Sequence, residues 1–207
     1  MILLLIRHGQ SVANSEGRLQ GQFDSPLTEE GRDQARALAG RLARHIEIPS
    51  AIYASDLLRA AKTAEILAAA LDVPVILDAR LREYDIGVLT NIVWREIETL
   101  YPDVWHDLHH SREWARIPGE EGTEALHQRL EAALNDIRAA HSDDETVAIV
   151  SHGGSLGTIL AHLLGMDVNR PTPFRFGNAS LSIVELHPRG PILSCLNDTC
   201  HVDGELS

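Results

Sequence analysis

Six apolar residues, Met1 to Ile6 (MILLLI), open the chain, and a polar turn follows them. A short run that is apolar at every position predicts a strand covered on both faces. After Thr28, a good helix-capping residue followed by Glu29 and Glu30, the period changes. Ala35, Leu38, Ala39 and Leu42 recur at i, i+3, i+4 and i+7. That spacing predicts an amphipathic helix, with its acidic residues where the amino-terminal dipole favours them. A short strand is expected at Ala51–Ala54, then a helix capped by Ser55 or Asp56 that runs to about Leu71, with Pro74 as its break. Val75–Leu77 reads as another strand. Thr123 is expected to cap a helix whose apolar stripe is Leu126, Leu130, Ala133, Leu134 and Ile137. Thr146–Val150 (TVAIV) is a β-branched strand, and SHGGS then turns into a helix ending near Gly165. Strands around Leu181–Leu186 and Ile192–Leu196 finish the pattern. Strands alternating with long helices predict an α/β fold, a three-layer sandwich whose mostly parallel central sheet is flanked by helices.

One stretch departs from this rhythm. Five of the nine aromatics (Tyr84, Trp94, Tyr101, Trp105 and Trp114) crowd into the segment from Tyr84 to Trp114. A hydrophobic cluster beneath a long insertion would account for them, and so would a lid over a ligand pocket; both readings hold together, with the insertion spanning about 84–122. No repeat, low-complexity tract or linker interrupts the 207 residues, so a single domain over 1–207 is expected.

Charge narrows the partners. Eighteen basic against thirty acidic residues give a formal net charge of −12, the wrong sign for a protein that coats nucleic acid or an anionic membrane. An anionic ligand would have to be drawn by a local basic cluster. No window approaches the ~20 apolar residues of a membrane span, and the opening run lacks a basic leader, so the expected compartment is the cytoplasm. Lys62 is the only lysine, which excludes a Walker A loop. Cys195 and Cys200 are too few for a disulfide scaffold. With His201 they match no familiar zinc spacing, and His106, His109 and His110 read as surface histidines of a helix. No metal and no cofactor are expected.

Chemistry gathers just after the strands. Arg7, His8 and Gly9 follow the first, Arg59 opens the helix after the second, Glu83 follows Val75–Leu77, and His152, Gly153 and Gly154 follow Thr146–Val150. In open α/β sheets ligands bind outside the carboxyl ends of the strands, so two arginines, two histidines and a carboxylate can converge there. Arginine forks match phosphate oxygens, and helix amino-termini near Arg59 and after Gly154 would add backbone donors. A neutral imidazole is a competent nucleophile.

LLIRHGQSVAN, Leu4 to Asn14, resembles the RHG signature of the histidine phosphatase, or phosphoglycerate mutase-like, superfamily. The resemblance continues in family order through LQGQFDSPLTEEGRDQA, ASDLLRAAKTAEIL, ARLREYDIG, PGEEGTEAL, VSHGG, GNAS and LNDTCH, from residue 4 to residue 201. It implies that His8 takes the phosphoryl group as a phosphohistidine. It surrounds that group with Arg7, Arg59 and a protonated His152, adds a hydrogen bond from Asn14, and makes Glu83 the proton donor to the leaving oxygen. Ser11, Gln20, Gly21 and Gly153 fall at substrate-contact positions, while Asn178 and Asn197 read as turn anchors.

Family mutases carry a longer, lysine-bearing insertion after the catalytic glutamate. The shorter, lysine-free insertion here favours water as acceptor and a small phosphorylated metabolite as substrate. Small bacterial phosphatases of the α-ribazole-phosphate and broad-specificity types are the most similar in character. They show a W-E-G run where this chain has Val88-Leu89-Thr90-Asn91. A mutase-type phosphotransferase and a non-catalytic phospho-ligand-binding module are the alternatives. A homodimer is left open by the sequence.

Overall fold

The computed structural model describes residues 1–45, 47–110, 117–167 and 172–202. Its elements in chain order are β1 (Ile2–Arg7), α1 (Val12–Ser15), α2 (Glu29–His45), β2 (Ala51–Ala54), α3 (Leu58–Leu71), β3 (Val75–Leu77), α4 (Ile97–Leu100), α5 (Pro102–His110), α6 (Thr123–Ala140), β4 (Thr146–Ser151), α7 (Gly153–Leu163), β5 (Leu181–His187) and β6 (Gly190–Asp198). The six strands form one sheet in the order β3-β2-β4-β1-β5-β6. β3, β2, β4 and β1 run parallel, and β5 and β6 add an antiparallel hairpin at one edge.

The uniformly apolar strands are the central ones. β1 and β4 are neighbours, and Leu3, Leu4, Leu5 and Ile6 are all fully buried against helices on both faces. One apolar layer joins Leu3, Leu5, Val147 and Ile149 to the α6 stripe and to Leu156 and Leu160 of α7. The other joins Leu4, Ile6, Ala148 and Val150 to Leu38, Ala39 and Leu42 of α2 and to Ala60, Ala64 and Leu67 of α3. This is the three-layer sandwich that the alternation of strands and helices predicts.

Helix starts differ in detail. Thr28 does cap α2, its hydroxyl accepting the Gly31 N–H. Thr123 is instead the first residue of α6, after Gly122 at φ +88°, and the Gly122 N–H is taken by the Glu120 carboxylate. α3 begins after Leu57, with no side-chain bond from its own cap; the Leu58 N–H is accepted by Asp24 from a distant loop at 2.7 Å.

The aromatic insertion is packed onto the body. Tyr84, Ile86, Leu89, Ile97, Leu108 and Ile117 belong to the α6–α7 apolar layer. The insertion's two ends clasp each other: a Cβ on Gly87 (φ +53°) would lie 2.2 Å from the Pro118 carbonyl oxygen. Its Val88–Asn91 turn is stitched to the loop leading to Gln20, since the Asn91 N–H donates to the Leu19 carbonyl and the Leu19 N–H to that of Ile92. Trp94 and Trp105 meet edge to face at 5.6 Å. Trp114 lies outside the described residues.

Candidate active site

β1 ends at Arg7, and the chain must then turn sharply under α2. A Cβ on Gly9 would lie 2.3 Å from the Gly31 carbonyl oxygen, and one on Gly31 would lie 2.0 Å from that of Gln10. Only two glycines allow this backbone approach, which presses the His8 loop against the start of α2. The Gly9 N–H donates to the Thr63 hydroxyl of α3, and the His8 carbonyl accepts from the Ala179 N–H. His8 is thus fixed from three sides.

Its tautomer follows from the partners. The His8 Nδ1 lies 2.7 Å from the Gly9 carbonyl oxygen, which can only accept, so Nδ1 carries the proton and Nε2 keeps its lone pair. Burial and the neighbouring Arg59 and Arg7 hold the ring's pKa well below the ordinary histidine value; it is therefore neutral and nucleophilic at pH 7.

His152 stands beside it, ring centroids 5.1 Å apart. Arg59 donates through Nε to its Nδ1 at 3.2 Å, and its Nε2 lies 2.9 Å from the Ser55 hydroxyl. A guanidinium can only donate, so the His152 proton sits on Nε2. Burial and the nearby Arg59, His8 and Arg7 push its pKa well below the usual range. The expectation of a protonated His152 is corrected here: flanked by buried arginine, it is a neutral donor in the free protein.

The positive field comes from arginine. Arg59 is only 1% exposed and anchors to the Phe23 and Gly21 carbonyls at 2.7 and 2.8 Å. Burial lowers its pKa to about 10, still charged at pH 7. Arg7 donates to the Phe176 carbonyl, while its buried Nε has no partner among the described residues. A Cβ on Gly153 would come within 3.8 Å of that Nε. A buried guanidinium N–H left open beside a nucleophile is suited to an anionic oxygen.

Glu83 reaches the same place from the other side. The carbonyls of the four residues before and including it are each held by a distant side chain. Arg129 of α6 donates to those of Arg80, Arg82 and Glu83, Ser151 of β4 to that of Leu81, and Ser155 of α7 also to that of Arg82. The carboxylate then caps α7. Oε1 accepts from the Tyr84 and Ser155 N–H groups at 2.9 and 3.0 Å, and Oε2 from the Gly154 N–H at 2.9 Å. Neighbouring arginines are otherwise committed: Arg82 forks onto Asp56, and Arg80 onto Asp78 and Asp136. Glu83 is therefore not their ion-pair partner.

This capping changes one expectation. The backbone donors at the α7 amino-terminus go to Glu83, and the first of α3 goes to Asp24, rather than to a free anion. Side chains remain as the anion donors.

The remaining sequence-predicted positions form a supporting wall. Ser11, fully buried, caps α1 through the Asn14 N–H, and its hydroxyl lies 2.9 Å from the Gln20 side-chain oxygen. Asn14 receives the Asn178 side-chain amide at 3.2 Å, and the Asn197 side chain accepts from the Gly177 N–H. Gly21 (φ +49°) contributes the carbonyl that holds Arg59. Sequence reasoning missed Ser55, Thr63, Arg129 and Ser155. Ser55, read only as a helix cap, and Thr63 lie inside the ASDLLRAAKTAEIL block and Ser155 follows VSHGG, whereas Arg129 carries no local signal.

A mostly parallel sheet that brings two histidines, two arginines and a carboxylate to its carboxyl edge defines a phosphoglycerate mutase-like α/β protein. Comparison with known proteins agrees. The profile of the histidine phosphatase superfamily (branch 1) matches residues 3–199, and the chain belongs to that family. A relative named probable phosphoglycerate mutase GpmB, from Yersinia pestis (strain Pestoides F), is 38% identical and aligned over 96% of this chain and 94% of its own. Among solved structures, Bacillus stearothermophilus YhfR is 33% identical, with a TM-score of 0.85 over 97% of this chain and 98% of its own. The α-ribazole phosphatase from Shigella flexneri is 27% identical, with a TM-score of 0.85 over 96% and 97%. A mycobacterial glucosyl-3-phosphoglycerate phosphatase, solved with VO3, is 30% identical, with a TM-score of 0.83 over 95% and 98%. Among the described residues no helix is long and apolar enough to cross a membrane.

Proposed function

We propose that the protein is a cytoplasmic phosphomonoester hydrolase that acts on a small phosphorylated metabolite through a phosphohistidine on His8, without a metal. The observation that carries this reading is the His8 ring itself: neutral, its Nδ1 proton fixed on the Gly9 carbonyl so that Nε2 keeps the lone pair, in the field of Arg59 and of an Arg7 whose buried Nε has no partner among the described residues. Nε2 attacks phosphorus and the ester P–O bond breaks. Glu83, a carboxylate in the free protein, takes the proton that the phosphomonoester monoanion brings, on Oε2, which accepts from one backbone group where Oε1 accepts from two, and gives it to the leaving oxygen. Water then attacks the phosphohistidine and passes a proton to Glu83; phosphate leaves with that proton as the monoanion, and His8 regains its lone pair. Arg7 and Arg59 spread their donors over the oxygens that gather charge, the His152 N–H turns to them from its Ser55 partner when substrate binds, and Asn14, Gln20 and Gly153 line the approach.

The test is phosphate release from p-nitrophenyl phosphate in EDTA, wild type against His8→Ala. Activity that survives EDTA and vanishes in the variant supports the reading; activity retained by His8→Ala overturns it. A second reading, phosphotransfer of the mutase type, is favoured by the name of the Yersinia relative. The insertion, about 84–122, contains no lysine to hold the carboxylate of a bisphosphorylated intermediate, which supports water as acceptor. Phosphoglycerate isomerised faster than phosphate is released would reverse that order.

A further inference from the structure

Away from the reacting edge, the end of β6 and the turn after it bring together Cys195, Asp198, Cys200 and His201. The Asp198 carboxylate, the Cys200 Sγ and a ring nitrogen of His201 all lie within 4.8 Å of one another, and the Cys195 Sγ is 3.8 Å from Asp198 Oδ2. His201 is oriented as metal-bound histidines are. Its Nε2 donates to the Ala179 carbonyl at 2.9 Å, which leaves Nδ1 to face the cluster. A cation already occupies the centre: the Arg41 guanidinium donates to Asp198 Oδ2 at 2.5 Å and to His201 Nδ1 at 3.2 Å.

We propose that Cys195, Asp198, Cys200 and His201 form a binding site for a thiophilic divalent cation, Zn2+ above all, which enters by displacing the Arg41 guanidinium. Two sulfurs, one imidazole nitrogen and one carboxylate oxygen are a complete tetrahedral donor set for zinc and a poor one for magnesium or calcium. Tetrahedral zinc, with bonds of about 2.0–2.3 Å, places its donors roughly 3.3–3.8 Å apart, so side-chain movement on the order of 1 Å closes the Asp198–Cys200–His201 trio, and Cys195, already against Asp198, turns in as the fourth donor. Both thiols lose their protons to solvent on binding. The Ala179 backbone joins the site to the nucleophile loop, its N–H on the His8 carbonyl and its carbonyl on His201. The ion thereby clasps the chain end to the sheet without touching the reacting atoms. It is separate from the EDTA-resistant chemistry proposed for His8.

Co2+ titrated into the full chain reads the site directly. One equivalent should bring up a thiolate-to-cobalt charge-transfer band that Zn2+ abolishes stoichiometrically and Mg2+ does not. Cys200→Ser and His201→Ala should each weaken binding at least tenfold, and Arg41→Gln, which removes the resident cation, should tighten it. Cys200→Ser should keep the basal phosphatase activity, which separates loss of the site from loss of the fold. No band at one equivalent, a band unchanged in both ligand variants, or weaker binding in Arg41→Gln overturns the proposal. Loss of p-nitrophenyl phosphate hydrolysis in His8→Ala has no bearing on these readouts, so the two readings fail separately.

Discussion

Gly154→Ala isolates the part assigned to Glu83. Gly154 is the second residue of α7, and a Cβ there would lie 2.6 Å from Glu83 Oε1. Ordinary contact begins near 3.4 Å, so the carboxylate must retreat by ~0.8 Å. Stability should hardly change. Alanine gains up to ~1 kcal/mol of helix propensity over glycine, and a weakened carboxylate cap costs ~1 kcal/mol. At 2–4 °C per kcal/mol for a chain of this size, the melting temperature should stay within about 4 °C. Catalysis should not be spared, because a misplacement near 1 Å can cost on the order of 100-fold, or ~2.7 kcal/mol at 1.36 kcal/mol per decade. The loss should depend on the leaving group. p-Nitrophenolate departs without a proton, so kcat/KM on p-nitrophenyl phosphate, which reports P–O cleavage and not the shared hydrolysis of the phosphohistidine, should fall less than tenfold. An alkoxide does not, so kcat/KM on an alkyl phosphate should fall ~100-fold. The assay is steady-state phosphate release on both substrates with a thermal melt of the same preparations. Equal losses on the two substrates would refute Glu83 as proton donor, no loss on either would refute its placement, and a large drop in melting temperature would refute the packing argument.

Other consequences are simpler to state. His8 and His152 both have pKa values depressed by burial and arginine, so the unfolded chain binds more protons between pH 6.5 and those lower values. Stability should therefore fall as pH drops through 6.5, by up to 1.36 kcal/mol per unit for each histidine; flat urea-unfolding energies between pH 7.5 and 5 would contradict this. Gly9→Ala should destabilise by at least ~3 kcal/mol, the upper part of the overpacking range, because the group it meets at 2.3 Å is backbone; a melting temperature near that of the wild type would show that the loop can shift. Phosphate at 100 times its dissociation constant should add ~2.7 kcal/mol of stability, and Arg59→Met should abolish the gain. A variant protected as well as the wild type would place the anion elsewhere.

What could be read from the sequence follows the range of the interactions involved. β1, α2 and α6 were legible because burial imposes a period on the chain itself: uniform in a strand covered twice, 3.6 in a helix covered once. α1 and α4 span four residues each and carry no stripe; they exist because Ser11 caps against Asn14 and because Ile97 is buried on the body. At the site, His8, Arg59 and His152 were legible since each stands in a block whose order is preserved. The state of His152 was not, because it depends on an arginine 93 positions away. The same holds for the α7 donors. GGS reads as an open anion site until Glu83, carried there by Arg129, Ser151 and Ser155, supplies the anion from within the protein. Residue identity places a group on an element, and only packing decides which charge it meets. That division predicts where substitution will be felt: Arg129→Met, remote in sequence and absent from every recognised block, should slow the alkyl phosphate more than p-nitrophenyl phosphate, as Gly154→Ala does, because both act on one carboxylate.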